Sequence, residues 1–475
     1  MKRIAIIGGG FAGVTAAYEL ARLAREGAAV EAVLFEASVR LGGTVQTSRE
    51  GGYVIEGGPD GWVTEKPWAK ELAEELGLGD EILPSNDDNR RTYVLVGGSD
   101  GVAATLQPMP DGMSMMVPGD LNAMDASELF SAEAKKAFHD ELGRAEELRA
   151  DAPANDESVA DFVRRHFGEE VLAKIGAPLL SGVLGGDVST LSVRAVMAPF
   201  VAMERQHGSL IAAVQARAAA RNGKTSSIFT SLRSGVATLV ERMVATIPAA
   251  WVRLGAEVVE ISRDGDGWIV RRSAGGASQE RTAPERFDGL MMAAPADVAS
   301  ALLAPIDARA AALMEMDASS AVVAAFGFPN ATKLTIPPGF GFLVPSGSTS
   351  RLLACTFVDQ KYNGRVPEDG KLVRAFFGGA AAERLIRCSN DEIAAIARLE
   401  LARILGPLPD AEITKVRRLP HSLPQYSVGH LDRMAELDAR VSQMPGLWLL
   451  GNGYRGVGLP DLARDARAAA RNALQ

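Results

Sequence analysis

The sequence predicts an α/β protein made of three parts: a Rossmann-type βαβ domain, a mixed α+β domain and an inserted helical domain. Residues 3–36 follow the pattern strand, glycine turn, helix, strand. Residues 125–221 are largely helix-forming between polar breaks. Between residues 321 and 377, short apolar runs alternate with Gly/Pro turns, which predicts a second sheet.

The composition of the 475-residue chain is that of a globular protein, because 47% of its residues are hydrophobic and 23% are charged. The formal net charge of -9 comes without Lys/Arg clusters, so we expect no nucleic-acid partner. The two cysteines, Cys355 and Cys388, form no CxxC pair, so redox chemistry would need a bound cofactor.

The first residues predict the location of the protein. A strand-like run at 3–7 begins without the basic and apolar regions of a signal peptide, and we therefore expect a cytoplasmic protein. The most apolar long window, 289–306, contains Asp297 and two prolines. It is too short and too polar to span a bilayer.

The first βαβ unit carries a glycine motif. Residues 8–13 fit GxGxxG between a strand and a helix, where backbone N–H groups and the positive helix end can meet a diphosphate. A carboxylate that accepts hydrogen bonds from ribose hydroxyls is expected at the end of the second strand. A chance meeting of a glycine turn and a surface glutamate is the alternative. The pattern predicts a dinucleotide site formed by Gly8, Gly10, Phe11, Ala12, Gly13 and Glu36.

The next segment indicates which dinucleotide binds. Glu36 is followed by Arg40, by the pair Gly42 and Gly43, and by Thr44. Arginine can neutralise phosphate charge, and the glycines allow close backbone approach. The alternative is an ordinary loop with a solvated arginine. The segment resembles the second diphosphate motif of amine-oxidase-like flavoproteins, and this resemblance implies FAD rather than a nicotinamide cofactor.

Three further segments extend this resemblance, although each alone is also compatible with plain sheet or turn. Residues 56–61 resemble the turn beside the flavin, and residues 257–259 with 288–295 resemble the return strands on the adenine side. Residues 451–461 open a helix whose N-terminal end can stabilise negative charge on a reduced flavin. The resemblance assigns cofactor contacts to Gly58, Pro59, Asp60, Gly61, Val258, Gly451, Val457, Gly458 and Leu459.

Segments outside these motifs resemble the protoporphyrinogen oxidases of haem biosynthesis. Residues 178–192 resemble P-x-x-S-G-x-x-x-G-D…L-S, residues 204–210 resemble E-x-x-x-G-S-L, and residues 231–239 resemble a glycine-bearing turn before a helix. Residues 423–430 resemble I-P-Q-Y-x-x-G-H, which is the most specific of these segments. The match covers nearly the full length of the chain.

The chain also departs from that family. Leu419 stands where many members carry a tryptophan, so this flavin contact is not carried over. Thr92 stands where plant-type members place an arginine before a strand tyrosine, and Arg91 would face the opposite side of a strand. Arg90 and Arg91 are therefore the candidate substrate anchors, with a solvated loop pair as the alternative.

No catalytic side chain is assigned. The five histidines lack HxxxH or HExxH spacing, so we expect structural or surface roles for them and no metal site. No GxSxG nucleophile occurs with a histidine and an acid in a plausible order. The resemblance implies hydride abstraction by flavin N5, which needs no dedicated general base.

The resemblance divides the chain into a Rossmann-type FAD-binding domain, a mixed α+β substrate-binding domain and an inserted helical domain. Their predicted extents are, in that order, residues 1–85, 225–300 and 425–475; residues 86–120 and 301–424; and residues 121–224. The active site is expected where the first two domains meet over the flavin. We expect the helical domain to associate peripherally with membranes through Val196, Phe200 and Val201, with a fully soluble enzyme as the alternative.

The activity that the resemblance implies is oxidation of protoporphyrinogen IX to protoporphyrin IX, with dioxygen reoxidising the FAD to yield peroxide. The apolar stretch at 108–117 favours this substrate, with its two propionates, over coproporphyrinogen III, which has four. Coproporphyrinogen III oxidation is the first alternative. An amine oxidase or desaturase of the same superfamily, and a flavin-binding protein without turnover, are the others. A homodimer and an acceptor other than oxygen stay open.

Overall fold

The first domain is built on a parallel sheet of five strands. The structure is a computed structural model that describes residues 1–97, 104–220, 227–273, 281–329 and 334–475. In spatial order, the strands of the sheet are Val252–Arg253, Val30–Phe35, Lys2–Ile7, Gly289–Met292 and Leu447–Leu449. All neighbouring strands run parallel. The long strands are apolar runs because both faces of the sheet are covered.

Alternate residues of the central strand Lys2–Ile7 enter two separate cores. Ile4 and Ile6 belong to the core under the first and last long helices, Phe11–Arg25 and Leu459–Asn472. Ala5 and Ile7 belong to the core on the opposite face. That face is covered by the antiparallel strands Val258–Asp264, Gly267–Arg272 and Glu285–Phe287, and by the helices Ala296–Leu303, Ala308–Met314 and His430–Val441.

The second domain contains a mixed sheet of seven strands. In spatial order these are Ile413–Pro424, Ala318–Phe328, Lys371–Phe377, Ala354–Phe357, Gly341–Leu343, Thr92–Val96 and Thr105–Pro108. Gly341–Leu343 and Thr92–Val96 run parallel, and the other described neighbours run antiparallel. The helices Gly379–Leu385 and Asn390–Leu405 contribute to the core of this sheet.

Further short sheets and helices lie beside these two sheets. The strands are Trp62–Val63, Phe229–Leu232 and Ile82–Pro84 in one sheet, Thr47–Glu50 and Tyr53–Glu56 in a second, and Met113–Ser114 and Val117–Pro118 in a third. The helices are Trp68–Glu75, Ala237–Val244 and Val358–Lys361, with 3₁₀ turns at Gly79–Glu81, Asp87–Asn89 and Ala249–Trp251.

The inserted part is helical and has its own apolar core. Its helices are Leu121–Ala126, Ala132–Gly143, Ala145–Ala150, Val159–Phe167, Glu169–Val171, Ala177–Leu184, Val193–Val196, Ala198–His207 and Leu210–Ala220, with a π-helical turn at Leu172–Gly176. The predicted boundary at 224/225 lies outside the described residues. The predicted α/β class, with a Rossmann-type sheet, a second mixed sheet and inserted helices, is confirmed.

The expected membrane contacts of the helical domain are not supported. Phe200 is buried in its core, and Val196 and Val201 are half-buried against the same core. These side chains are therefore engaged in packing between helices. Within the described ranges, none of the helices combines the length and the apolar character that crossing a membrane requires.

Candidate cofactor and substrate site

Gly8 and Gly13 form a turn that no larger residue would fit. Gly8 has a φ of +105°, and a Cβ on Gly13 would lie 1.9 Å from the Gly8 carbonyl oxygen. At Gly10, by contrast, an added Cβ would meet nothing within 4 Å. The helix Phe11–Arg25 starts there with neither a capping side chain nor an acidic residue in its first turn. Its backbone N–H groups can therefore bind diphosphate oxygens.

Two helices begin with predicted cofactor-binding residues, and both begin at the same edge of the parallel sheet. Phe11–Arg25 follows the strand Lys2–Ile7, and Leu459–Asn472 follows the parallel strand Leu447–Leu449. The two helices pack on each other over one shared core. Their N-terminal ends therefore meet at the carboxyl edge of the sheet, where open α/β sheets bind ligands.

Glu36 stands beside the glycine turn with its carboxylate oriented by the backbone. Its Oε2 accepts from the Gly9 N–H at 2.6 Å, and its Oε1 accepts from the Ser38 N–H at 2.8 Å. Further lone pairs remain for ribose hydroxyls. The Glu36 carbonyl accepts from the Ala256 N–H at 2.8 Å, so the segment that leads to Val258 runs alongside.

The second glycine motif lies directly against the first. The Gly42 N–H donates to the Gly9 carbonyl at 2.8 Å, and a Cβ on Gly43 would lie 3.1 Å from the Gly10 Cα. Arg40 spans the turn, because its guanidinium donates to the carbonyls of Leu41, at 3.1 Å, and of Gly43. The structure thus joins the two predicted diphosphate motifs into one surface.

The third predicted segment continues this surface. A Cβ on Gly58 would lie 2.1 Å from the Thr44 carbonyl oxygen, and a Cβ on Gly61 would lie 2.4 Å from the Thr230 carbonyl oxygen. Only glycine permits approaches this close. The loop at 58–61 is therefore held between the second motif and the short sheet that contains Thr230.

Asp60 fastens this loop to the second domain through buried charges. Its carboxylate accepts from Lys361 Nζ at 3.0 and 3.1 Å and lies 3.4 Å from the Arg374 guanidinium. Arg374 also donates to the Gly58 carbonyl at 2.7 Å. Burial alone would raise the pKa of Asp60, but the charges of Lys361 and Arg374 lower the pKa below its ordinary value. The carboxylate is therefore ionised.

A second buried ion pair lies beside Asp60. The Arg365 guanidinium donates to Glu56 Oε1 at 2.9 Å, and both side chains are almost fully buried. Arg365 also donates to Ser231 Oγ at 2.6 Å, and the Ser231 hydroxyl donates to the Asp60 carbonyl at 2.6 Å. The two pairs form one network that fixes both ends of the loop.

The P-Q-Y-x-x-G-H segment holds the glycine-rich C-terminal loop. The rings of Tyr426 and His430 stack with centroids 3.9 Å apart. The Tyr426 hydroxyl donates to the Asn452 carbonyl at 2.5 Å and accepts from the Gly456 N–H at 3.0 Å, while His430 Nε2 contacts the Tyr454 carbonyl at 2.9 Å. Burial raises the pKa of Tyr426 and lowers the pKa of His430. Both rings are therefore neutral at pH 7.

The same segment fastens the helical domain. Gln425 Nε2 donates to the Leu184 carbonyl at 2.8 Å, and a Cβ on Gly186 would lie 1.6 Å from Gln425 Oε1. The Ser192 N–H donates to the Tyr426 carbonyl at 2.8 Å. Val457 of the C-terminal loop packs against the helical core. Two of the segments that resemble porphyrinogen oxidases, 178–192 and 423–430, therefore meet at one junction with the C-terminal loop.

The E-x-x-x-G-S-L segment has a structural role in the helical core. His166 lies between two carboxylates, with Nδ1 2.9 Å from Glu141 Oε1 and Nε2 3.1 Å from Glu204 Oε1. The Ser209 hydroxyl donates to Glu141 Oε2 at 2.6 Å. Burial alone would lower the pKa of His166, but the two carboxylates raise it overall.

Arg90 and Arg91 are both exposed and precede the strand Thr92–Val96. The Arg90 guanidinium contacts the Met113 carbonyl at 3.4 Å. Neither arginine forms an ion pair within the ranges that the structure describes. Both guanidinium groups are thus accessible to a carboxylate ligand, and a solvated pair remains the alternative.

Sequence reasoning missed the cations that the second domain supplies. Lys361, Arg365 and Arg374 contact partners that lie 301 to 316 positions earlier in the chain. No motif marks them, because tertiary contact alone brings them to the loop. The one available signal was a charged residue inside a buried apolar run, as in the strand Lys371–Phe377.

These contacts at the carboxyl edge of the sheet define a dinucleotide-binding protein. Its second domain anchors the loop at 58–61. Residues 11–474 match the flavin containing amine oxidoreductase family, and the chain belongs to that family. Its cofactor is FAD. The open side of Gly10, the uncapped helix and the acid at Glu36 fit the diphosphate and ribose of this cofactor.

Two curated relatives carry the name coproporphyrinogen III oxidase. The Bacillus subtilis protein is 32% identical over 100% of this chain and 98% of its own length, and the Staphylococcus aureus protein is 27% identical over 100% and 99%. A solved structure from Exiguobacterium sp. 255-15, provisionally named a protoporphyrinogen oxidase, is 30% identical with a TM-score of 0.85, covering 100% of this chain and 98% of that one.

These comparisons identify the chain as a flavin-dependent oxidoreductase of the porphyrinogen oxidase family. They also bear on the expected substrate. Our sequence-based preference was for protoporphyrinogen IX, yet the names of the bacterial relatives give better support to the alternative, coproporphyrinogen III. Within the apolar stretch at 108–117, on which that preference rested, Met116 and Val117 are buried in the core of the helical domain.

Proposed function

We propose that the protein oxidises coproporphyrinogen III to coproporphyrin III. The observation that carries the proposal is the similarity, over the full chain, to relatives named for that reaction. The junction at Tyr426 adds support, because two of the segments that resemble porphyrinogen oxidases, 178–192 and 423–430, meet the C-terminal loop there. Residues that determine the substrate would thus lie beside the glycine-rich C-terminal loop.

Bound FAD supplies the two-electron oxidant of each step. The protein's own groups would hold the cofactor. The carboxylate of Glu36 would accept hydrogen bonds from the ribose hydroxyls, and the N–H groups that follow Gly10 would donate to the diphosphate. The charged network around Asp60 keeps the loop at 58–61 in place. The neutral, stacked pair Tyr426 and His430 positions the C-terminal loop through its contacts with Asn452, Gly456 and Tyr454.

The four propionates of coproporphyrinogen III require cationic or hydrogen-bonding partners. We propose Arg90 and Arg91 for this role, because both guanidinium groups are exposed and carry no carboxylate partner within the described residues. Two adjacent, exposed guanidinium groups would provide a local site for an anion in a chain whose formal net charge is -9.

Dioxygen is the proposed electron acceptor. The expectation is that each two-electron oxidation yields one hydrogen peroxide. Turnover in air with stoichiometric peroxide would support this part of the proposal. Turnover that stops in air and resumes only with an added quinone would replace oxygen by a quinone and leave the substrate assignment intact.

The substrate is tested by comparing kcat/KM for coproporphyrinogen III and protoporphyrinogen IX, followed by porphyrin fluorescence. This ratio measures differential binding of the two transition states. We expect a preference for coproporphyrinogen III of tenfold or more, which corresponds to about 1.4 kcal/mol. An equally strong preference for protoporphyrinogen IX would restore our sequence-based expectation. If the protein oxidised amines and consumed neither porphyrinogen, the proposal that its substrate is a porphyrinogen would be wrong.

A further inference from the structure

Arg417 is a half-buried cation beside the turn that follows the predicted diphosphate motifs. It lies on the strand Ile413–Pro424, and its side chain borders Gly57, where an added Cβ would lie 3.4 Å from Arg417 Cγ. Its Nε is buried and has no hydrogen-bond partner. Among the residues that the structure describes, no hydrogen bond or ion pair reaches the Arg417 side chain. No motif in the sequence points to this residue.

The charge of Arg417 is opposed by another of the same sign. Burial and the positive charge of Arg40 both lower the pKa of the Arg417 guanidinium. Arg40 itself donates only to the carbonyls of Leu41 and Gly43, so it brings no carboxylate into the cluster. Two neighbouring guanidinium groups without an acid destabilise a protein unless an anion binds between or beside them.

A second buried polar atom without a partner belongs to Gln46, whose backbone contacts Gly57. Gln46 Oε1 has no donor, and the Gln46 carbonyl accepts from the Gly57 N–H at 2.7 Å. Arg417 offers hydrogen-bond donors and Gln46 an acceptor, so a matching ligand needs anionic oxygens and hydroxyl groups close together. The diphosphate and the ribityl chain of FAD have that chemistry.

We propose that Arg417, from the second domain, completes the diphosphate site of FAD together with Arg40. This inference rests on the FAD site proposed above and is independent of which porphyrinogen is oxidised. It makes Arg417 a cofactor-binding residue that joins the two domains. In the FAD-free chain, the charge of Arg417 is uncompensated and should lower the stability of the protein.

The test uses the full-length protein and the variants Arg417→Gln, Arg417→Lys and Lys415→Gln. Lys415 is the matched control, since it lies two residues earlier on the same strand face and pairs with exposed Glu50. For each variant, the dissociation constant of FAD is measured by flavin fluorescence, and the thermal midpoint is measured with and without FAD. ADP, which carries the diphosphate without the flavin, serves as a second probe.

We expect Arg417→Gln to weaken FAD binding by roughly 10- to 100-fold, the range for losing a charged hydrogen bond. Arg417→Lys should recover part of this loss, and Lys415→Gln should match the wild type. The thermal midpoint of the FAD-free Arg417→Gln protein should equal or exceed that of the FAD-free wild type. ADP should stabilise the wild type more than Arg417→Gln.

Three results would overturn the proposal. The first is an FAD dissociation constant for Arg417→Gln within twofold of the wild type. The second is an equal loss of thermal midpoint with and without FAD, which would indicate a purely structural role. The third is weakened FAD binding with unchanged stabilisation by ADP, which would move the contact from the diphosphate to the flavin. Failure of the wild type to bind FAD would instead refute the cofactor site itself.

Discussion

The Tyr426 hydroxyl lies 3.0 Å from the Gly456 backbone nitrogen, across a gap of 30 residues in the sequence. This hydrogen bond, with the one from the same hydroxyl to the Asn452 carbonyl, holds the C-terminal loop before the last helix. Because the backbone carbonyl of Tyr426 also bonds to Ser192, one tyrosine connects the helical domain to the loop.

Tyr426→Phe should destabilise the FAD-bound protein by roughly 1–3 kcal/mol, because both loop partners would lose a buried hydrogen bond. The measurement is the free energy of unfolding in denaturant. Tyr53→Phe is the control: Tyr53 is buried, and its hydroxyl has no hydrogen-bond partner among the described residues. That change should be neutral or stabilising. Equal losses in the two variants would refute the role of the Tyr426 hydroxyl.

Gly10→Ala should preserve the fold and weaken FAD binding. The new Cβ meets no protein atom within 4 Å, so the FAD-free chain should lose less than about 1 kcal/mol of stability. The methyl group would enter the space beside the helix N-terminus, and we expect the FAD dissociation constant to rise at least tenfold, about 1.4 kcal/mol.

Gly143→Ala is the control for this change, because it also adds a methyl group that meets nothing within 4 Å, at the end of the helix Ala132–Gly143. This variant should bind FAD like the wild type. Unchanged FAD affinity in Gly10→Ala would show that the glycine turn does not contact the diphosphate.

The fold was predictable where local pattern and tertiary structure agree. The strand Val30–Phe35 has the predicted limits, and the helix Phe11–Arg25 begins one residue before its predicted start. Both belong to a βαβ unit whose apolar periodicity is set by burial on both faces. The expected membrane role failed at Phe200 because an apolar helical residue looks the same whether it meets lipid or a neighbouring helix.

The candidate site was predictable only on the side that carries motifs. The contacts of Gly13 with Gly8 and of Gly58 with Thr44 follow from glycines that the sequence displays. Lys361 and Arg374 could not be predicted, because charged residues in helices and strands have no spacing that reveals a partner more than 300 positions away. That the predicted residues bind FAD remains a prediction.

Asp60→Asn should cost roughly 3 kcal/mol or more of stability, because Lys361 and Arg374 would keep their buried charges without a carboxylate. The lowered pKa of Asp60 means that its contribution is present above the ordinary value of 3.8 and is lost as the pH falls through the folded pKa. Unfolding in urea at pH 7 measures the cost. Asp264→Asn is the control, since its exposed pair with Arg286 should contribute less than about 1 kcal/mol.

A loss in Asp60→Asn as small as that in Asp264→Asn would contradict the proposed anchoring of the loop. FAD content should fall with Asp60→Asn, because the loop at 58–61 would detach from the second domain. The control variant should retain its flavin.

His166 should make the stability of the helical domain pH-dependent. Its pKa is raised above 6.5 by Glu141 and Glu204, so its contribution is fully present below pH 6.5 and is lost as the pH rises through the folded pKa. The free energy of unfolding, measured in urea from pH 6 to pH 9, should therefore fall with rising pH.

His166→Gln should remove this dependence, while His139→Gln should preserve it, because His139 is about half exposed in its pair with Asp125. The Arg165 and Glu157 side chains also face the cluster and remain in both variants. Parallel pH curves for wild type and His166→Gln would refute the assignment.

The last prediction concerns substrate charge at Arg90 and Arg91. Replacing both by glutamine should lower kcat/KM for coproporphyrinogen III at least tenfold, because two carboxylate partners are lost, equivalent to about 1.4 kcal/mol or more. The loss for protoporphyrinogen IX should be smaller, since that substrate has fewer propionates to anchor. Arg387→Gln, at another exposed arginine of the second domain, should leave both values unchanged. The thermal midpoints should stay equal, because neither Arg90 nor Arg91 is buried. If the double variant kept its preference for coproporphyrinogen III, the propionates would have to be bound elsewhere, and the solvated-pair alternative would hold.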